Sequence, residues 1–186
     1  MSVAEAGRVE VVNFGCRLNL AEGEAIRAAA TRAAAPDTIV FNSCAVTDEA
    51  VRQARQAVRR ALRERPDTAV VVTGCAAELE AERFADMGAR VVANDAKGLT
   101  ASYQVENIAS SSSARAEMDD AAPPPPFALS LPKGRSSLPY LPALSGADHA
   151  RAFLGVQTGC SHSCTFCATV LARGTARSAT VGSILR

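Results

Sequence analysis

The chain has 186 residues, of which 48% are hydrophobic and only 4% aromatic, with no tryptophan and a formal net charge of +1. A core is available from Val, Ile, Leu and Ala, while the near-neutral balance excludes a whole-chain electrostatic pull toward nucleic acid or membrane. No stretch approaches the roughly 20 apolar residues that cross a bilayer, and residues 1–7 have neither a basic segment nor an apolar run, so a cytoplasmic chain without secretory signal or membrane partner is expected.

The first hundred residues alternate β-rich and helical patterns. Strands are predicted over 9–14, 38–42, 69–73 and 90–93, the third almost wholly apolar, as in a strand buried on both faces. Helices are predicted over 20–35, stopped by Pro36, over 47–65, ended by Pro66, and over 78–87, closed by Gly88. Such alternation implies an α/β fold, an open parallel sheet with flanking helices. Residues 1–100 form this domain. Residues 101–149 read as a flexible linker, with Ser110 to Ser113 and Pro123 to Pro126 bracketing the acidic Glu117, Asp119 and Asp120. Near its end Leu138, Tyr140, Leu141 and Leu144 suggest packing. A further strand is expected over 151–157. Residues 150–186 are too few to cover that strand's edges and read as the truncated start of a larger domain.

Six cysteines fall in two sets of three. Cys16, Cys44 and Cys75 each stand two residues after a predicted strand end, 28 and 31 residues apart. Loops at the carboxyl ends of parallel strands share one edge, where ligands bind. The three thiols are therefore expected to meet there, with Gly15 and Gly74 admitting a close backbone approach. Cys160, Cys164 and Cys167 form a C-x3-C-x2-C loop. In a reducing compartment such thiols point to metal rather than to disulfides. An iron–sulfur cluster normally takes four cysteines, so three leave one iron open to a substrate or cofactor.

The segments Asn13-Phe14-Gly15-Cys16-Arg17-Leu18-Asn19, Asn42-Ser43-Cys44-Ala45-Val46-Thr47 and Val72-Thr73-Gly74-Cys75, with the later cysteine loop, resemble the radical S-adenosylmethionine methylthiotransferases. The resemblance covers nearly the whole chain but less than half of a full member, which continues through a partial α/β barrel to an RNA-binding domain. It is nearest to the enzymes acting on threonylcarbamoyladenosine beside the tRNA anticodon. It implies a methylthio group added to carbon 2 of adenosine 37, an auxiliary [4Fe–4S] cluster on Cys16, Cys44 and Cys75, and a second [4Fe–4S] cluster binding S-adenosyl-L-methionine on Cys160, Cys164 and Cys167. It also implies Phe166 beside the adenine of that cofactor, and as partners a tRNA anticodon stem-loop, an electron-donor protein and a sulfur donor. The chain departs from the family pattern at Ala168-Thr169-Val170-Leu171-Ala172, where the family usually has two isoleucines, a proline and a tyrosine.

Two alternatives stand beside this reading. One is a non-catalytic iron–sulfur or zinc-binding relic; the other is a methylthiotransferase for isopentenyladenosine or a ribosomal protein. His162 is either a metal ligand or a solvated loop residue, and Phe166 either a cofactor contact or a hydrophobic plug. Arg52, Arg55, Arg59 and Arg63 share a helix face that either meets tRNA phosphates or is simply solvated. Arg173 and Arg177 are candidates to reach a phosphate or the cofactor carboxylate.

Overall fold

A computed structural model describes residues 7–104, 144–145, 153–162 and 164–185. The serine, proline and acidic runs expected in the linker, with Leu138, Tyr140, Leu141 and Arg151, lie outside the described residues.

Strands β1 (Val9–Asn13), β2 (Thr38–Ser43), β3 (Ala69–Gly74) and β4 (Arg90–Val91) form a parallel sheet in the order β1-β2-β3-β4. The α/β parallel sheet expected from the alternating pattern is present. Between the strands run helices α1 (Arg17–Arg32), α2 (Asp48–Glu64), α3 (Cys75–Leu79) and α4 (Ala81–Asp86). Every residue of β2 is buried, because helices cover both faces of the sheet. On one face Ile39, Phe41, Val70 and Val72 pack with Val58, Ala61 and Phe84. On the other Val40 and Val71 pack with Ile26, Ala29 and Ala30 of α1. Strand alternation sends successive residues to opposite layers.

Helix ends follow local chemistry. The Thr47 side chain caps α2 by accepting from the Ala50 amide at 3.2 Å, and Asp48 and Glu49 fill the first turn. The single helix predicted over 78–87 is instead two. Glu80 leaves helical geometry at φ −126°, and the first of the pair opens at Cys75, directly after β3. The strand β4 is shorter than predicted, two residues.

A 3-10 turn over Thr100–Tyr103 buries Tyr103 in the α1 face of the core, its hydroxyl donating to the Lys97 carbonyl at 2.7 Å. In place of one strand over 151–157 there are two short ones, β6 (Phe153–Leu154) and β7 (Gln157–Thr158). The strand β6 pairs antiparallel with β5 (Leu144–Ser145), which lies against α1. The strand β7 pairs antiparallel with β8 (Arg177–Ser178). Between them α5 (Ala168–Arg173) packs on α3, and α6 (Val181–Ile184) follows. Among the described residues no helix is long and apolar enough to cross a membrane.

Candidate functional site

The parallel register aligns Asn13, Asn42 and Thr73, and then Ser43 with Gly74. Cys44 and Cys75 therefore follow β2 and β3 at equivalent positions. Cys16 stands three residues beyond Asn13, because β1 ends one residue before Phe14 while the Phe14 amide adds one more bond to the Asn42 carbonyl at 3.0 Å. Cys44 and Cys75 are buried and Cys16 is half-buried. Gly15, at φ +79°, lies directly beneath the Cys44 side chain, and any Cβ there would strike Cys44 Cβ and Sγ. The first and second cysteine loops are thus in contact.

Short polar bonds fix this edge. The Asn19 amide nitrogen donates to the carbonyls of Ser43 at 2.8 Å and Phe14 at 3.1 Å. The Ser43 hydroxyl donates to the Thr73 carbonyl at 2.6 Å and accepts from the Ala77 amide at 2.9 Å. Two buried polar atoms on the aligned residues, Asn42 Oδ1 and Thr73 Oγ1, have no hydrogen-bond partner. Unpaired buried polar atoms are uncommon in folded proteins. No three His, Cys, Asp or Glu side chains among the described residues converge as ligands of one metal ion. What the edge offers instead is soft thiols carried on separate strands over a glycine floor. That donor set suits a polynuclear iron–sulfur group, whose thiolates bind different irons.

The second loop has a different construction. Gly159, at φ +75°, presses against the backbone of Gly174 and Thr175, and the Cys160 amide donates to the Gly174 carbonyl at 3.1 Å. The His162 amide donates to Cys160 Sγ at 3.5 Å, while its residue is exposed. Cys167 precedes α5, and its amide donates to the Cys164 carbonyl at 3.2 Å, closing a turn. The Thr169 hydroxyl lies 3.3 Å from Cys167 Sγ, and hydrogen bonding from Thr169 pulls that thiol below its usual range. Cys164 is exposed, and Phe166 is 92% exposed, on the surface rather than plugged into a core.

Two arginine expectations change. On α2, Arg52 pairs with Glu49 at 2.7 Å and Arg55 with Glu80 at 3.1 Å, so this face is partly neutralised by carboxylates. Arg173 does not face solvent. It is 6% exposed and drives into the first domain. Its Nε donates to Cys75 Sγ at 3.2 Å; Nη1 donates to Glu22 Oε1 at 2.8 Å and Thr158 Oγ1 at 3.1 Å; Nη2 donates to Asn19 Oδ1 at 2.7 Å and Glu22 Oε2 at 3.0 Å. Lys97 Nζ donates to Glu22 at 2.6 Å and to Asn94 Oδ1 at 3.0 Å. Burial alone would raise the Glu22 carboxyl, but Lys97 and Arg173 outweigh it and hold it below the usual carboxylate range. Sequence reasoning missed Asn19, Glu22 and Lys97. The available signal was a carboxylate and an amide on the apolar face of an alanine-rich helix, in line with Ile26 and Ala30.

Comparison with known proteins gives one family match and several relatives. Residues 8–93 match the uncharacterized protein family UPF0004. The chain is 36% identical to the threonylcarbamoyladenosine tRNA methylthiotransferase MtaB of Rickettsia prowazekii (strain Madrid E), over 96% of this chain and 39% of that protein. It is 29% identical to the tRNA-2-methylthio-N(6)-dimethylallyladenosine synthase of Sphingopyxis alaskensis, over 88% of this chain and 36% of that protein. It is 25% identical to the ribosomal protein uS12 methylthiotransferase RimO of Verminephrobacter eiseniae, over 100% of this chain and 39% of that protein. The chain thus spans about two fifths of the length of the curated relatives it matches. No solved structure matches it.

Proposed function

The chain belongs to the methylthiotransferase family, and on that premise we propose that it is the cluster-holding part of a tRNA methylthiotransferase working by radical S-adenosylmethionine chemistry. The substrate is carbon 2 of threonylcarbamoyladenosine 37. The names of the Rickettsia and Bacillus relatives, 36% and 31% identical to this chain, support threonylcarbamoyladenosine as the nucleoside. Cys16, Cys44 and Cys75 hold one [4Fe–4S] cluster, and Cys160, Cys164 and Cys167 hold the other.

The observation that carries this reading is the alignment of Cys44 and Cys75 behind adjacent parallel strands, with the Cys16 loop in contact through Gly15. When bound, the two clusters and S-adenosyl-L-methionine supply the one-electron reactivity that an unactivated adenine C–H bond requires. The chain's own residues do the rest. The Cys164–Cys167 turn presents thiols at the surface, where a cofactor can approach, and Phe166 offers an exposed ring on which an adenine can stack. The buried edge of Cys44 and Cys75 keeps water from the other centre. A tRNA anticodon stem-loop, an electron-donor protein and a sulfur donor are the partners, in the cytoplasm, where all six free thiols stay reduced.

The test is anaerobic reconstitution with iron and sulfide, followed by S-adenosyl-L-methionine and a strong reductant. The proposed enzyme releases 5′-deoxyadenosine and, given anticodon stem-loop RNA, yields methylthiolated adenosine. Iron without 5′-deoxyadenosine leaves the non-catalytic relic. A colourless zinc protein overturns the enzyme and leaves the zinc-binding relic.

A further inference from the structure

We infer that Arg173 is a positioning residue that clamps the second cysteine loop onto the first cysteine edge and donates a hydrogen bond to the Cys75 sulfur that ligates the auxiliary centre. The inference rests on the proposed assignment of Cys75 as a cluster ligand.

A guanidinium has five N–H donors and no acceptor. The five bonds from Arg173, one from Nε and two from each terminal nitrogen, occupy all of them. Nothing remains for a phosphate or a cofactor carboxylate. Four of the five acceptors belong to the first domain, and Glu22 is 151 residues distant along the chain. The bidentate grip on Glu22 fixes the plane of the guanidinium, and so aims Nε at Cys75. Lysine, with one nitrogen and no plane, cannot make this set of contacts.

The charges point the same way. Glu22 is a single carboxylate between two buried cations, Lys97 and Arg173. Buried charge without compensation is costly. Arg173 is the cation that faces Cys75, its Nε 3.2 Å from the sulfur. A thiolate there would meet a charge-assisted donor.

Backbone bonds carry the connection onward. Asn94 Nδ2 donates to the Ala172 carbonyl at 2.6 Å, seating the last turn of α5 on the first domain. Gly174, at φ +73°, then turns the chain so that its carbonyl accepts from the Cys160 amide. One unbroken path of bonds, Cys75 to Arg173 to Gly174 to Cys160, joins a member of each cysteine set. Arg173 and Asn94 thus tie the second set to the first domain.

The test uses Arg173→Ala and Arg173→Lys in the 186-residue chain. To isolate the first centre, Cys160, Cys164 and Cys167 are replaced by alanine, and the midpoint potential of the remaining cluster is read by redox titration with electron paramagnetic resonance. Hydrogen bonds to cluster sulfurs raise the potential by stabilising the reduced state. Arg173→Ala is expected to shift it to more negative values, and Arg173→Lys to fall between. An unchanged potential overturns the inference.

A second arm needs no cluster. In the metal-free chain with all six cysteines, the rate of iodoacetamide labelling at Cys75 is expected to rise several-fold in Arg173→Ala, while Cys44, also buried, labels as in the parent chain. Labelling of Cys75 that does not change, or that rises in step with Cys44 in both variants, also overturns it. A parent chain that binds no iron would end the proposed function, yet this labelling arm would still decide the place of Arg173.

Discussion

The two cysteine sets sit on unlike foundations. The first is mounted on the ends of long parallel strands, with Cys44 and Cys75 buried and every residue of β2 covered by helices. The second hangs on two-residue ladders and a turn, with Cys164 and Phe166 exposed. A rigid, dry edge and an accessible loop suit different tasks: one protects a centre, the other admits a cofactor. The loop owes much of its order to the first domain, through Arg173 and through Arg17, whose guanidinium lies 5.9 Å from the Phe153 ring centre. Stability should therefore be concentrated in the first domain and borrowed by the second.

This contrast can be broken most severely at the cage. Glu22→Gln leaves Lys97 and Arg173 buried without their carboxylate and should cost about 3–5 kcal/mol, measured by urea unfolding. The sign of its pH dependence also follows. The folded Glu22 carboxyl lies below the usual carboxylate range, so its stabilisation is complete above the unfolded value and is lost as pH falls through the lower folded one. Acid unfolding monitored by circular dichroism should show this loss in the parent chain and a flatter profile in Glu22→Gln.

Phe84→Ala should cost a similar ~3–5 kcal/mol, since Phe84 is fully buried between α4 and the sheet. It should weaken both regions together, because the loop leans on the domain. Loss of the second region's protection alone, read by hydrogen exchange, would contradict the dependence argued above.

Gly74→Ala sharpens the first region specifically. At φ +95°, with a Cβ position crowded against the Ser43 backbone, the backbone conformation alone should cost about 1–3 kcal/mol. It should also displace Cys75 and reduce iron uptake at the first set while sparing the second. The smallest effect is expected at Arg60→Ala on α2. Its i,i+4 pair with Glu64 is largely exposed, and its loss should shift stability by no more than ~0.5 kcal/mol.

Much of the first region was legible in the sequence. Apolar runs bounded by Pro36 and Pro66 gave the strands and helices, and the regular interval between Cys16, Cys44 and Cys75 gave the shared edge. The places where the pattern misled are local. Glu80 broke a helix whose apolar period continued through it, and α3 began at Cys75, hidden by its short length. The cage was illegible for a different reason. Its members, Asn19, Glu22, Lys97, Thr158 and Arg173, are scattered along the chain, and beyond the apolar face that Asn19 and Glu22 share on α1 none carries a sequence mark of burial. Arg173 looked like a ligand-binding cation because its partner carboxylate is supplied only by the fold.

The central claim, two separate thiolate centres on two foundations, is tested most directly by iron content after anaerobic reconstitution. The parent chain should bind about eight irons, and Cys44→Ala and Cys164→Ala about four each. Iron content unchanged by both substitutions, or abolished altogether by either one, would contradict it.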